Sequence, residues 1–220
     1  MNKITPWAPL HLLKDAFLVF WDFDGVIKDS VEVKSDAFER LFLPYGAKIA
    51  RRVRQHHEAN GGMSRFEKLP LYLRWAGEIT SPAKVEEFCL HFSSAVRQAV
   101  IDAPWVPGVQ EFLLTQHVRQ AFILTTATPG DEIEEILENL ALTRCFREIH
   151  GAPKSKSEAI RETLLRWQCP PERTLMVGDS TSDLKAAKTN NVPFLLRKTP
   201  FNRTLRETYS GPIFEELSNE

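Results

Sequence analysis

The chain has 220 residues, a formal net charge of −1, and 43% hydrophobic and 26% charged residues. This length suits one domain with a sizeable core, or one domain that carries a smaller insert. A charge near zero gives no electrostatic reason to expect nucleic acid or an anionic membrane as a partner. The longest apolar run, residues 16–21, is too short to cross a bilayer, and residues 1–15 lack the apolar stretch of a signal peptide. Three separated cysteines without CxxC spacing indicate free thiols, so we expect a cytoplasmic protein.

Short apolar runs rich in β-favouring residues predict strands that are buried on both faces. They are Phe17–Trp21, Ala121–Thr125, Thr174–Val177 and Val192–Leu196, with a weaker fifth run at Phe146–Ile149. Amphipathic stretches between the runs predict helices over Val109–Gln116, Asp131–Leu140, Glu158–Trp167 and Asp183–Lys188. Strands that alternate with helices predict a doubly wound α/β domain with a parallel sheet.

Residues 31–105 have a different pattern, which predicts helix after helix and no strong strand. We therefore expect an all-helical insert over residues 31–105, and an α/β core made of residues 1–30 and 106–220. Such an insert is expected to lie above the carboxyl edge of the sheet, where α/β proteins bind their ligands. Asp29 and Ser30, which precede the insert, are expected to cap its first helix.

Polar residues follow the predicted strands at the points where each strand passes into a helix. The first strand runs into Asp22-Phe23-Asp24-Gly25, whose two carboxylates are spaced i, i+2. The second strand ends in Thr125-Thr126-Ala127-Thr128, and the fourth ends in Gly178-Asp179-Ser180-Thr181-Ser182-Asp183. Between them, Ser155 and Glu158 form a capping box that places Lys156 in the first turn of a helix. All these side chains are expected to meet in one pocket.

This ordered set of motifs resembles the haloacid dehalogenase-like (HAD) hydrolase superfamily. The resemblance rests on WDFDGV, LTTATP, the lysine of PKSKSE, and GDSTSD, and it covers about residues 17–197. Within the superfamily, the chain resembles the branch of phosphoglycolate phosphatase-like and β-phosphoglucomutase-like enzymes, which carry a helical cap after the first motif. It implies a Rossmann-like core, with residues 31–105 as the cap domain.

The resemblance also implies roles for individual residues. Asp22 is similar to the family's nucleophile and Asp24 to its general acid/base. Thr126 resembles the family's phosphate-binding hydroxyl, with Thr125 as the alternative. Lys156 resembles the charge-neutralising lysine, with Lys154 as the alternative. The metal ligands implied are Asp22, the backbone carbonyl of Asp24, Asp179 and Asp183. The main chain near Gly25 and Ala127 is expected to help bind the phosphoryl group.

Elementary electrostatics supports a metal at this pocket. Like charges about 4 Å apart cost roughly 4 kcal/mol per pair at an effective dielectric near 20, so several carboxylates and a phosphate need cations. Mg²⁺ prefers oxygen ligands and fits this need, and Lys156 adds a positive charge. We therefore expect a Mg²⁺-dependent phosphatase that acts on a small phosphorylated metabolite, for instance a sugar phosphate. The sequence does not identify the metabolite or the oligomeric state.

Two basic segments of the insert each allow a functional and a structural interpretation. Arg65 and Lys68 lie near the start of a predicted helix, where they could contact an anionic substrate or form a solvated basic face. The run Arg51–His57 suggests a nucleic-acid or metal site, but the near-zero charge favours a solvated helix face.

Other functions are consistent with parts of this pattern. A hydrolytic dehalogenase needs the attacking aspartate but not Asp24, Asp179 and Asp183 together. A phosphomutase differs only in returning the phosphoryl group to a sugar. A non-hydrolytic phospho-acceptor domain also gathers acids, a hydroxyl and a lysine, but fits poorly with the large insert and the DxD spacing. A binding protein that has lost activity is disfavoured because every expected catalytic side chain is present.

Overall fold

The computed structural model describes residues 9–217, and its centre is a six-stranded sheet whose paired strands are all parallel. The strands are β1 (Leu18–Trp21), β2 (Ala121–Pro129), β3 (Glu148–Ala152), β4 (Thr174–Gly178), β5 (Phe194–Arg197) and β6 (Ile213–Phe214). Their order is β3-β2-β1-β4-β5-β6. The direction of strand order reverses at β1, which lies between β2 and β4. Ligands of doubly wound sheets bind in the crevice at this kind of switch point.

Helices connect the strands, and the predicted ones are confirmed to within two residues at each end. The helices are α1 (Pro9–Asp15), α2 (Val31–Phe42), α3 (Ala47–Ala59), α4 (Arg65–Trp75), α5 (Pro82–Asp102), α6 (Val109–Gln116), α7 (Gly130–Asn139), α8 (Lys156–Trp167), α9 (Thr181–Thr189) and α10 (Arg203–Thr208). None of the helices in residues 9–217 is both long enough and apolar enough to span a membrane. The predicted doubly wound α/β fold is therefore confirmed.

Strand β1 is buried on both faces because its side chains alternate between two hydrophobic cores. Leu18 and Phe20 belong to one core, while Val19 and Trp21 belong to the other. All four are fully buried. Successive side chains of a strand point to opposite faces, so a continuous apolar run is what a central parallel strand requires.

Within residues 31–102 the structure contains α2 to α5 and a short 3-10 helix, with no strand. These helices share an aromatic cluster in which the Phe38 ring stacks on Phe92 and meets Tyr72 edge-to-face. Such aromatic pairs add about 1 kcal/mol beyond the burial of their area. The helical character of the insert agrees with the prediction, and its exact limits at residues 30 and 105 stay a prediction.

Some bounds differ from those predicted, and each difference has a local cause. β5 begins at Phe194 rather than Val192, because Pro193 has no N–H to donate to the sheet. β3 begins at Glu148, where its pairing with Ile123 of β2 starts. The sequence did not predict α1, α10 or β6, whose short segments carry weak periodicity.

Candidate active site

Asp22 directly follows β1 at the carboxyl edge of the sheet. Its backbone N–H donates to the Val177 carbonyl of β4 at 3.0 Å, which fixes the residue between these two strands. The side chain is 7% exposed, and one carboxylate oxygen, Oδ2, lies 2.7 Å from the Lys156 ammonium. Burial and the neighbouring Asp183 carboxylate raise the pKa of Asp22 to about 7, against the opposing effect of Lys156.

Asp24 lies in a tight turn after β1, where the Gly25 N–H donates to the Lys28 carbonyl at 2.7 Å. Its carboxylate accepts from the Ser30 hydroxyl at 2.6 Å and from the Lys34 ammonium at 2.5 Å. Burial raises the pKa of Asp24, but Lys34 and the hydrogen bonds outweigh burial, so the net pKa is lowered. Asp24 is therefore held as a carboxylate.

Gly25 is required for two geometric reasons. Its φ of +75° lies in the left-handed region, which strains a residue with a side chain. A Cβ at this position would also lie 2.4 Å from the Asp179 Oδ2. The glycine thus lets the turn approach the carboxylate that follows β4.

Lys156 lies at the start of α8, whose capping box between Ser155 and Glu158 is present as predicted. Its ammonium contacts the carboxylates of Asp22 and Asp183, at 2.7 and 2.6 Å. Burial lowers the pKa of Lys156, but the two carboxylates outweigh this and the net pKa is raised, so the side chain stays charged. Lys154 instead pairs with the partly exposed Glu162 at 2.7 Å. Of the two predicted lysines, Lys156 is the one in the site.

Three buried carboxylates converge beside Lys156. One oxygen from each of Asp22, Asp179 and Asp183 lies within 4.8 Å of the others. Asp183 also accepts from the Ser180 N–H and hydroxyl at the start of α9. The Asp179 carboxylate accepts no hydrogen bond from any described residue, and burial with two neighbouring carboxylates raises its pKa well above the usual range. Such a cluster fits a hard divalent cation.

The hydroxyls at the end of β2 divide between the two faces of the sheet. Thr125 points its hydroxyl towards the Met176 sulfur, away from the cavity. Thr126 is buried, and its Oγ1 accepts from the Thr128 N–H at 3.2 Å. Ala127 and Thr128 line the cavity, and the Thr128 hydroxyl lies 3.3 Å from the Asp24 carboxylate. The role of Thr126 at phosphate stays a prediction, and Thr128 is a site residue that the sequence did not predict.

Arg65 and Lys68 of α4 line the same cavity and are almost fully buried. Arg65 makes two hydrogen bonds of 2.7 Å to Glu132 of α7. The Lys68 ammonium lies 3.0 Å from the His57 Nδ1. The alternative of a solvated basic face is therefore wrong for both residues. Whether they contact substrate stays a prediction.

The solvated-face interpretation of residues 51–57 is correct for one side of α3 and wrong for the other. Arg51 and Arg52 are exposed, whereas His57 is 5% exposed and lines the cavity. His57 shares the buried face of α3 with Ala50 and Val53. The spacing i, i+3, i+7 of these three residues could have identified it.

Ser30 and Lys34 were also missed as site residues. Ser30 occupies the N-cap position of α2, but its hydroxyl makes no cap and donates to Asp24 instead. Asp29 pairs with Arg197 of β5 at 2.7 Å. The expected capping by Asp29 and Ser30 is therefore wrong. Lys34 lies one helical turn after Ser30, so its position beside the first motif could have been predicted once Ser30 was assigned to the site.

The cavity bounded by these residues has a volume of about 550 Å³, its mouth included. Its floor is the carboxyl edge of the sheet, with Asp22, Asp24, Asp179 and Lys156. Its other walls come from α2 to α5 and the loop around Gly62, where a Cβ would lie 1.6 Å from the Ser182 Oγ. The helical insert therefore covers the acidic cluster.

Comparison with known proteins agrees with this architecture. The family model of haloacid dehalogenase-like hydrolases matches residues 19–196. A phosphoglycolate phosphatase of Pseudomonas fluorescens is 25% identical over 205 residues, which cover 90% of this chain and 73% of that protein. A phosphorylated carbohydrates phosphatase of Thermotoga maritima is 25% identical over 181 residues, which cover 79% and 81%.

A solved structure of CbbY from Rhodobacter sphaeroides, in complex with xylulose-(1,5)bisphosphate, has the same fold. Its TM-score is 0.72 at 16% identity, over 91% of this chain and 94% of that one. The family model covers most of this chain, including both strands that carry the acidic motifs. The chain belongs to the haloacid dehalogenase-like hydrolase family.

Proposed function

We propose that the protein is a Mg²⁺-dependent phosphatase that hydrolyses a small organic phosphate through an aspartyl-phosphate at Asp22. The observation that carries the proposal is the convergence of the Asp22, Asp179 and Asp183 carboxylates on Lys156 at the floor of a covered cavity. The relatives named as phosphatases, for phosphoglycolate and for phosphorylated carbohydrates, support a phosphoric monoester as substrate.

The donor set fits a magnesium ion. Three buried carboxylates lie close together, Lys156 pairs with two of them, and the third, that of Asp179, has no donor among the described residues. Asp22, Asp179, Asp183 and the backbone carbonyl of Asp24 would hold the ion. When bound, the ion neutralises the carboxylates and the phosphoryl oxygens so that they can approach each other.

Asp22 is the proposed nucleophile. Its carboxylate oxygen forms a bond to phosphorus while the ester P–O bond breaks, which yields an acyl phosphate and an alcohol. Lys156, 2.7 Å from the Asp22 Oδ2, is placed to offset the charge of the phosphoryl oxygens during this step. The Thr126 hydroxyl and the backbone around Ala127 are the proposed contacts on the opposite side of the phosphoryl group.

Asp24 is the proposed general acid and base. It gives a proton to the departing alkoxide oxygen, then takes one from the water that attacks phosphorus and regenerates Asp22. Lys34 and Ser30 hold Asp24 as a carboxylate in the free protein. We therefore expect an arriving phosphate dianion to compete for Lys34, which loosens its contact with Asp24 and lets Asp24 be protonated.

The test is phosphate release from p-nitrophenyl phosphate, with Mg²⁺ or with EDTA. We expect the wild type to turn over only with Mg²⁺, and Asp22→Asn to lose about 1,000-fold or more in kcat, since removing a nucleophile has effects of this order. Asp24→Asn should lose about 100- to 10,000-fold. Magnesium-dependent turnover by Asp22→Asn near the wild-type rate would refute the proposal.

A further inference from the structure

Four cationic side chains line the cavity, and three of them have carboxylate partners. The four are Lys34, Arg65, Lys68 and Lys156. Lys34 pairs with Asp24, Arg65 with Glu132, and Lys156 with Asp22 and Asp183. Within residues 9–217, Lys68 has no carboxylate oxygen within 4.0 Å. It is thus the one lining cation in the described chain that lacks a countercharge.

The surroundings of Lys68 make the missing countercharge destabilising. The side chain is 1% exposed, and its ammonium has a hydrogen bond of 3.0 Å to the His57 Nδ1. Burial, followed by repulsion from Lys34, lowers the pKa of Lys68 to about 7. Burial and Lys68 likewise hold the pKa of His57 well below its usual range, so His57 accepts this hydrogen bond as a neutral ring. A buried ammonium without a countercharge is destabilising unless a ligand supplies one.

Lys68 lies on the insert side of the cavity, whereas the proposed nucleophile and most of the acidic cluster lie at the sheet edge. Lys68 and His57 lie on α4 and α3 of the insert, whereas Asp22, Lys156 and Asp179 lie at the sheet edge. The stacked rings of Phe38 and Phe92 line the same cavity and form an apolar wall near Lys68. An apolar wall limits water access and strengthens a charge pair formed beside it.

We propose that Lys68 and His57 form a second anion site, which binds a carboxylate or a further phosphoryl group on the leaving-group side of the substrate. This inference rests on the proposed phosphatase function. It makes the substrate a phosphoric monoester with an additional anionic group. The phosphoryl group to be transferred meets Asp22 and Lys156, and the second anion meets the Lys68 ammonium. The neutral His57 orients that ammonium.

The test compares kcat/KM with Mg²⁺ for three small esters. They are 2-hydroxyethyl phosphate, which has no second anion, phosphoglycolate, which has a carboxylate, and ethylene glycol bisphosphate, which has a second phosphoryl group. We expect the wild type to prefer at least one of the two anionic esters by about 100-fold, the order measured for buried charge pairs. The preferred ester identifies the group that the site takes. Equal kcat/KM values for all three would overturn the proposal.

Variants assign the preference to Lys68. Lys68→Met should reduce the wild-type preference from about 100-fold to less than about fivefold. Lys48→Met removes an exposed lysine of the same insert and should keep the preference. A preference that survives Lys68→Met would overturn the proposal. If Lys68→Met does not fold, Lys68→Gln replaces it, since Gln can still donate to His57 but carries no charge.

Failure of the proposed function is distinguishable from failure of this site. If the wild type hydrolyses neither p-nitrophenyl phosphate nor any of the three esters, the phosphatase proposal fails. Calorimetric titration with phosphoglycolate and 2-hydroxyethyl phosphate then tests the site through binding alone. Tighter binding of phosphoglycolate that is lost in Lys68→Gln supports the site, and equal affinities of the wild type for the two esters overturn it.

Discussion

Asp179 is the residue whose surroundings point most directly to a cation. The residue is 8% exposed, and its carboxylate lies beside those of Asp22 and Asp183 and receives no hydrogen bond from the described residues. Asp22 and Asp183 share Lys156, whereas Asp179 is buried beside these two carboxylates without such a contact. We therefore expect this site to gain stability when a divalent ion binds to it.

Replacing Asp179 by Asn should therefore raise thermal stability without metal and reduce the stabilisation that Mg²⁺ gives. With EDTA near pH 7, Asp179→Asn should unfold at a higher temperature than the wild type, because a carboxyl whose pKa is raised on folding destabilises the folded state at this pH. With Mg²⁺ at about 100 times its Kd, the wild type should gain about 2.7 kcal/mol, or roughly 5–10 °C, and the variant much less. Asp131→Asn, which changes an exposed carboxylate, should respond like the wild type. An equal Mg²⁺ shift in wild type and Asp179→Asn would contradict the metal assignment.

At the scale of helices, the pair Arg65–Glu132 joins the insert to the core. Two hydrogen bonds of 2.7 Å connect α4 to α7, and both side chains are about 5% exposed. The Ser93 hydroxyl of α5 also donates to Glu132, at 2.5 Å. A second pair, Arg97–Glu135, links α5 to α7 at 2.8 Å, but its side chains are 40% and 47% exposed.

The two pairs allow a matched comparison by double-mutant cycles in urea unfolding. Arg65→Met and Glu132→Met should each cost about 3 kcal/mol, because each leaves a buried charge without a partner. The double variant should cost much less than the sum. The cycle of Arg97→Met and Glu135→Met should give a coupling below about 1 kcal/mol, as solvated pairs do. Additive effects at Arg65 and Glu132 would show that this pair does not hold α4 on α7.

At the scale of the whole molecule, the sequence predicted the core elements well because their signals are local. β1 and β4 are continuous apolar runs. The helix α6 begins directly after Pro107 and Gly108, and the φ of Gly108 is +78°. The parallel sheet and the strand-end position of Asp22 and Asp179 follow from these runs and from α/β topology.

Side chains that reach the site across the fold could not be predicted in the same way. Lys34 contacts Thr128, which is 94 residues away in the chain. Arg65 contacts Glu132, 67 residues away. No local pattern encodes such pairs, since they exist only after the insert packs on the sheet. His57 was missed for another reason, since a periodic buried face was hidden within a basic run.

The most direct test of the central claim is chemical trapping of the aspartyl-phosphate. The wild type is mixed with substrate and Mg²⁺, quenched in acid, and treated with borohydride, which reduces an acyl phosphate to an alcohol. We predict that peptide mass spectrometry finds homoserine in place of Asp22, and unreduced aspartate at Asp24, Asp179 and Asp183. If the enzyme turns over while Asp22 stays unmodified, or if homoserine forms at another aspartate, the assignment of Asp22 as nucleophile is wrong.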